Sequence, residues 1–131
     1  MRLAVLALVA LLVLAGSAAA ASGIHPLAPA SGSTVPQGET PTFRMKVNGK
    51  GAVYVRICRS KAKRRGVICA AEGIGRARRG SGGIYTYKPK FYDFPEFFAN
   101  RPGTYYWQGT RVSCQGTDCR QEGPVVRFKV E

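Results

Sequence analysis

Apolar and polar residues alternate with a period of two through much of this chain. Phe43, Met45 and Val47 are separated by Arg44 and Lys46. Val53, Val55 and Ile57 fall on one face of the following segment, and Val126, Phe128 and Val130 repeat the pattern near the end. Such alternation marks strands with one face buried. Further strands are predicted at 67–71, at Ile84-Tyr85-Thr86-Tyr87 before Pro89, and over 104–113, the longest. Turn chemistry separates them: Asn48-Gly49 with Lys50-Gly51, and Pro102-Gly103. Residues 23–42, rich in Pro, Gly, Ser and Thr, read as an extended opening strand, with turns at Ser31-Gly32-Ser33 and Pro36-Gln37-Gly38. The stretch 73–83 holds five glycines and three arginines and reads as a mobile loop. Seven short strands with no helix predict an all-β fold, a two-sheet antiparallel sandwich.

The first residues break this pattern. Met1-Arg2 precedes an unbroken apolar run, Leu3 to Leu14, followed by Gly16 and the small residues 17–22. This is the layout of a secretory signal peptide cleaved near Ala20 or Ala21. The run is too short for a membrane helix, which needs about 20 apolar residues. The expectation is therefore a signal over 1–21 and one domain over 22–131, secreted to the extracellular space or cell envelope as a monomer.

Export changes the reading of the four cysteines, Cys58, Cys69, Cys114 and Cys119. An even count in a small exported domain points to disulfides. Four cysteines allow three connectivities; the local pairs Cys58–Cys69 and Cys114–Cys119 are expected because each brackets a turn. Zinc ligation does not fit, since neither pair has C-x₂-C spacing and the single histidine, His25, is remote. A start at Gly23-Ile24-His25 would offer Cu(II) a square-planar site, but cleavage after Ala20 or Ala21 removes it. No metal or other cofactor is expected.

The order of motifs resembles a known family. Ser31-Gly32-Ser33-Thr34-Val35, Pro41-Thr42-Phe43, Val53-Tyr54-Val55, Tyr85-Thr86-Tyr87, Pro102-Gly103-Thr104-Tyr105-Tyr106-Trp107 and Gly123-Pro124-Val125-Val126-Arg127-Phe128-Lys129-Val130 are similar to bacterial secreted fibronectin type III-like domains, an immunoglobulin-like sandwich. The resemblance implies a tyrosine corner, in which a Tyr hydroxyl bonds back to upstream backbone, at Tyr105 or Tyr106. It implies a scaffold or binding role and carries no catalytic residue. Met45 stands where the family usually has Trp, and the basic hairpin and aromatic stretch 91–99 are additions.

The formal net charge is +13. Nine of the bases lie between Arg56 and Arg79 against one acid, Glu72. The sharpest feature is the run from Cys58 to Cys69, read as a disulfide-clasped hairpin whose tip presents Arg59, Lys61, Lys63, Arg64 and Arg65. Arg76, Arg78 and Arg79 of the glycine-rich loop are expected to join them in binding anions. A clasp loses less entropy when a partner docks. The corresponding partners are an anionic cell-surface polymer, extracellular nucleic acid or an acidic protein; a solvated surface that touches nothing is the competing reading. Tyr85, Tyr87, Lys88, Lys90, Phe91 and Tyr92 interleave bases and aromatics as stacking sites do, but core packing explains the aromatics better.

Acid–base chemistry is poorly supplied. Asp93 and Glu96 are the best carboxylate pair for glycoside hydrolysis, and surface solvation explains them as well. No nucleophile has a base beside it, and Gly73-Ile74-Gly75 lacks the Lys-Ser/Thr of a phosphate loop. The expectation is a non-enzymatic interaction module, with a small secreted enzyme or enzyme inhibitor acting through the hairpin as the alternative.

Overall fold

The computed structural model describes residues 23–59, 61–64, 66–68, 73–89, 101–113 and 119–131. These form β1 (Ile24–Ala28), β2 (Thr34–Val35), β3 (Phe43–Val47), β4 (Ala52–Cys58), β5 (Lys63–Arg64), β6 (Val67–Ile68), β7 (Ile74–Arg76), β8 (Arg78–Arg79), β9 (Ile84–Tyr87), β10 (Gly103–Val112) and β11 (Arg120–Val130). A four-stranded sheet has the order β1-β3-β9-β8, and a five-stranded sheet the order β2-β11-β10-β4-β7. All ladders are antiparallel except β2 with β11. The expected two-sheet all-β architecture is present. The expected signal lies outside the described residues, as does the whole aromatic stretch 91–99, with Asp93 and Glu96.

Three segments depart from the seven-strand expectation; one is the hairpin, where β5 pairs with β6 in a separate two-stranded ladder. The opening segment is two strands rather than one. β1 pairs with β3 in one sheet, and the chain then crosses at Pro29–Gly32 so that β2 runs beside β11 in the other. Ser33 fixes the crossing, its amide and hydroxyl both donating to the Ala30 carbonyl at 3.0 and 2.7 Å. The glycine-rich stretch, read as a mobile loop, holds two edge strands: β7 on β4 and β8 on β9. Neither has apolar alternation, so partners and not their own side chains hold them in place. Gly75 of β7 faces the core, where a Cβ would fall inside the Tyr87 ring.

The core lies between the sheets. Phe43, Val55, Ile57, Phe128 and Val130, expected inside from their alternation, are buried in one cluster with Tyr105 and Trp107. Phe43 meets Trp107 and Phe128 edge-on at centroid distances of 5.5 and 5.9 Å, and Tyr105 stacks on Phe128 at 5.7 Å. Edge-on and stacked pairs of this kind add about 0.5–1.5 kcal/mol each beyond area burial. The Trp107 indole N–H, which needs an acceptor once buried, donates to the Pro29 carbonyl at 3.0 Å. One core residue thus ties down the crossing between the sheets.

Pro124 lies within β11, where an interior strand should not tolerate it. The ladder with β10 shifts register between Gln108 and Thr110, opposite Gly123–Pro124. The irregularity gives the proline, which has no N–H, a place outside the regular hydrogen-bond pattern.

Candidate functional site

Two basic groups emerge, placed differently from the single tip expected. In the hairpin, Lys61 and Lys63 are exposed, while the Arg65 residue and the Arg64 side chain lie outside the described residues. Arg59 is committed elsewhere: its guanidinium lies over the Tyr105 ring at 5.4 Å and Nη2 donates to the Tyr105 hydroxyl at 3.1 Å. That hydroxyl in turn donates to the Arg101 carbonyl, four residues upstream, at 2.6 Å. This is the bond implied for Tyr105 by the resemblance. Cys69 and Cys114 lie outside the described residues, so neither expected pairing is seen whole.

The hairpin is not a free projection. Gln108 points away from the core, yet it is 1% exposed because the hairpin covers it. Its Oε1 accepts from the Ile68 amide at 3.1 Å, and its Nε2 donates to the carbonyls of Gly66 at 3.1 Å and Gly123 at 2.9 Å. One side chain therefore holds the hairpin down on the outer face of the five-stranded sheet. Val67 and Ile68 are buried in consequence. Period-two reasoning places Gln108 outward, and only the hairpin's return over it reveals the role.

Beside Gln108 lie Arg56 and, one row on, Thr110, both buried. The Thr110 hydroxyl donates to Glu122 Oε2 at 2.5 Å, and Arg120 stands 3.6 Å from Glu122 Oε1. Burial lowers the Arg56 pKa, Glu122 opposes that shift and Arg120 adds to it.

The second group surrounds the open edge of the sandwich. The chain steps from β7 to β8 in one residue, Ala77, whose amide donates across to Val53 at 2.8 Å. Arg76 and Arg78 flank the step, and Arg79, opposite Tyr85, lies on the side facing the gap between the sheets. With Lys50 and the edge of Tyr85 they line a cleft of about 690 Å³. None of the lining residues carries a carboxylate. Lys50 sits in a fixed turn: Arg111 Nη1 donates to its carbonyl at 3.2 Å, and Gly51, at φ +131°, brings the chain against the Val112 carbonyl. Only a residue without Cβ accepts that conformation readily.

The cleft thus brings Arg76, Arg78 and Arg79 together with one another but not with the hairpin cations, and adds Lys50, a fourth cation that sequence reasoning missed. Its only signal was its place in a glycine turn. The cleft can form charge-assisted hydrogen bonds to carboxylate, sulfate or phosphate oxygens, most favourably from the planar guanidinium groups. Among the described residues no group of three potential metal ligands occurs. No helix there is long and apolar enough to cross a membrane. Comparison with protein-family models, curated proteins and solved structures gives no match.

Proposed function

We propose that this protein is a non-enzymatic interaction module of an exported chain, binding an anionic partner through the basic cleft at the edge of its sandwich. The observation that carries the reading is the convergence of Lys50, Arg76, Arg78 and Arg79 on one opening with no acidic residue in its lining. Folding does not require four cations there, because like charges side by side weaken a sheet. The hairpin, with Lys61 and Lys63, extends the basic surface over the neighbouring outer face. A Cys58–Cys69 disulfide would clasp it: Cys58 ends β4, and Cys69 follows β6, which packs on β4 and β10. Cys114–Cys119 is the second pair, and non-reducing peptide mapping that joins Cys58 to Cys114 or Cys119 would overturn both.

The frame is read as fibronectin type III-like within the immunoglobulin-like sandwiches. In support, β1, β3, β9 and β8 stand in the ABED order of one immunoglobulin-type sheet. The strands β11, β10 and β4 take the GFC order of the other, and the Tyr105–Arg101 bond sits on the F-like strand. Replacing Arg76 and Arg79 by Ser tests the function. Both are exposed, so unfolding should shift by less than about 0.5 kcal/mol while elution from a heparin column moves to lower salt. Unchanged elution would overturn the proposal.

A further inference from the structure

The outer face of the four-stranded sheet carries a second run of positive charge. On β3 the buried Phe43, Met45 and Val47 leave Arg44 and Lys46 exposed. The ladders set Arg44, Thr86 and Arg78 in one row across β3, β9 and β8, and His25, Lys46 and Ile84 in the next. Lys88, just beyond β9, is exposed as well. Among the described residues the acidic side chains are Glu39, Glu122 and Glu131. None belongs to these four strands.

Arg78 joins this face to the cleft, since it ends the row begun by Arg44 and also lines the opening. Strand spacing puts Arg44 and Lys46 roughly 7 Å apart, and Arg44 and Arg78 roughly 10 Å apart, two strands across. We infer that a linear, flexible anionic polysaccharide lies across this face, turns over the β8 edge at Arg78 and enters the cleft. The inference rests on the reading of the cleft as an anion site and names its occupant.

Other polyanions fit less well. A single nucleic-acid strand binds best to exposed aromatics on which bases stack, and the aromatics of these strands, Phe43, Tyr85 and Tyr87, are buried. Duplex DNA stays straight over distances far larger than this domain and does not turn the edge. A bilayer meets the flat face but does not enter the cleft. A sugar chain with a carboxylate or sulfate on successive units meets both surfaces.

The test is calorimetric titration of the protein, purified from full-length expression, with a heparin octasaccharide as probe. The parent is compared with Arg44→Thr/Lys46→Thr on the face and Arg76→Ser/Arg79→Ser in the cleft. Releasing ~0.7–0.9 counterion per contact makes two contacts worth roughly 10- to 30-fold in affinity at about 0.15 M salt. Each double variant should lose that much with thermal unfolding unchanged. Lys88→Ser, outside the ladders, should show the same direction at about one contact's size should the face variant fold poorly. A face variant that binds like the parent, beside a weakened cleft variant, overturns the track and leaves the cleft reading standing. A cleft variant that binds like the parent overturns both. Tighter binding of oligo(dT) or of phosphatidylglycerol vesicles than of heparin at equal salt overturns the assignment to polysaccharide.

Discussion

Gln108 holds the basic hairpin to the sheet, and Gln108→Met is the sharpest test of that arrangement. Methionine keeps the length and volume of the side chain but neither donates nor accepts strongly. The change strands the Ile68 amide and the carbonyls of Gly66 and Gly123. Gly66 is exposed, so its carbonyl regains water. The contacts of Gln108 with Ile68 and Gly123 are buried, and a buried group left without a partner costs about 1–3 kcal/mol. The expected loss is therefore about 2–6 kcal/mol, read as a lower urea midpoint at constant m-value. The hairpin should also open locally, freeing the backbone at the already exposed Lys61 and Lys63 to enter the active site of trypsin. A loss of about 2 kcal/mol raises cleavage there roughly 30-fold where reclosing outpaces cutting. Stability within about 0.5 kcal/mol of the parent, with unchanged cleavage at Lys61 and Lys63, would refute the role assigned to Gln108.

Tyr105→Phe removes the hydroxyl that bonds Arg101 and receives Arg59 but leaves the ring on Phe128; a loss of about 1–2 kcal/mol in chemical unfolding is expected, and a neutral result would mean the bond contributes nothing. Trp107→Ala should cost about 3–5 kcal/mol, much of the stability of a small domain, and Trp107 fluorescence in the parent should resist acrylamide. Gly75→Ala drives a methyl group into the Tyr87 ring and should cost at least about 1–3 kcal/mol, partly recovered in a double variant with Tyr87→Leu. Full stability in the single variant would show that β7 is free to move away.

The parts of the fold that were legible in the sequence are those where burial is written into alternation. The apolar positions of β3, β4, β10 and β11 gave the core, and Pro102-Gly103 ahead of Tyr105 gave the corner. Elements held by partners leave no such trace. The short strands β7 and β8 consist of Ile74, Gly75 and Arg76, then Arg78 and Arg79, so their composition reads as loop. Their place is set by the ladders to β4 and β9 and by the gap over Tyr87. The candidate site was half legible for the same reason. Local density marked Arg76, Arg78 and Arg79, but their convergence with Lys50 depends on the one-residue step at Ala77. Arg59 looked like one more cation of the tip until its contact with Tyr105 placed it on the core. Gln108 and Arg56 sit on outward positions that became interior only when the hairpin folded back.

The central claim, anion binding at the sandwich edge, is tested most directly by the salt dependence of heparin binding. Four cations line the cleft, so log K should fall against log salt concentration with a slope of about −3 or steeper. A slope shallower than about −1, or no binding even at about 0.05 M salt, would contradict the claim and leave the positive charge a property of the surface alone.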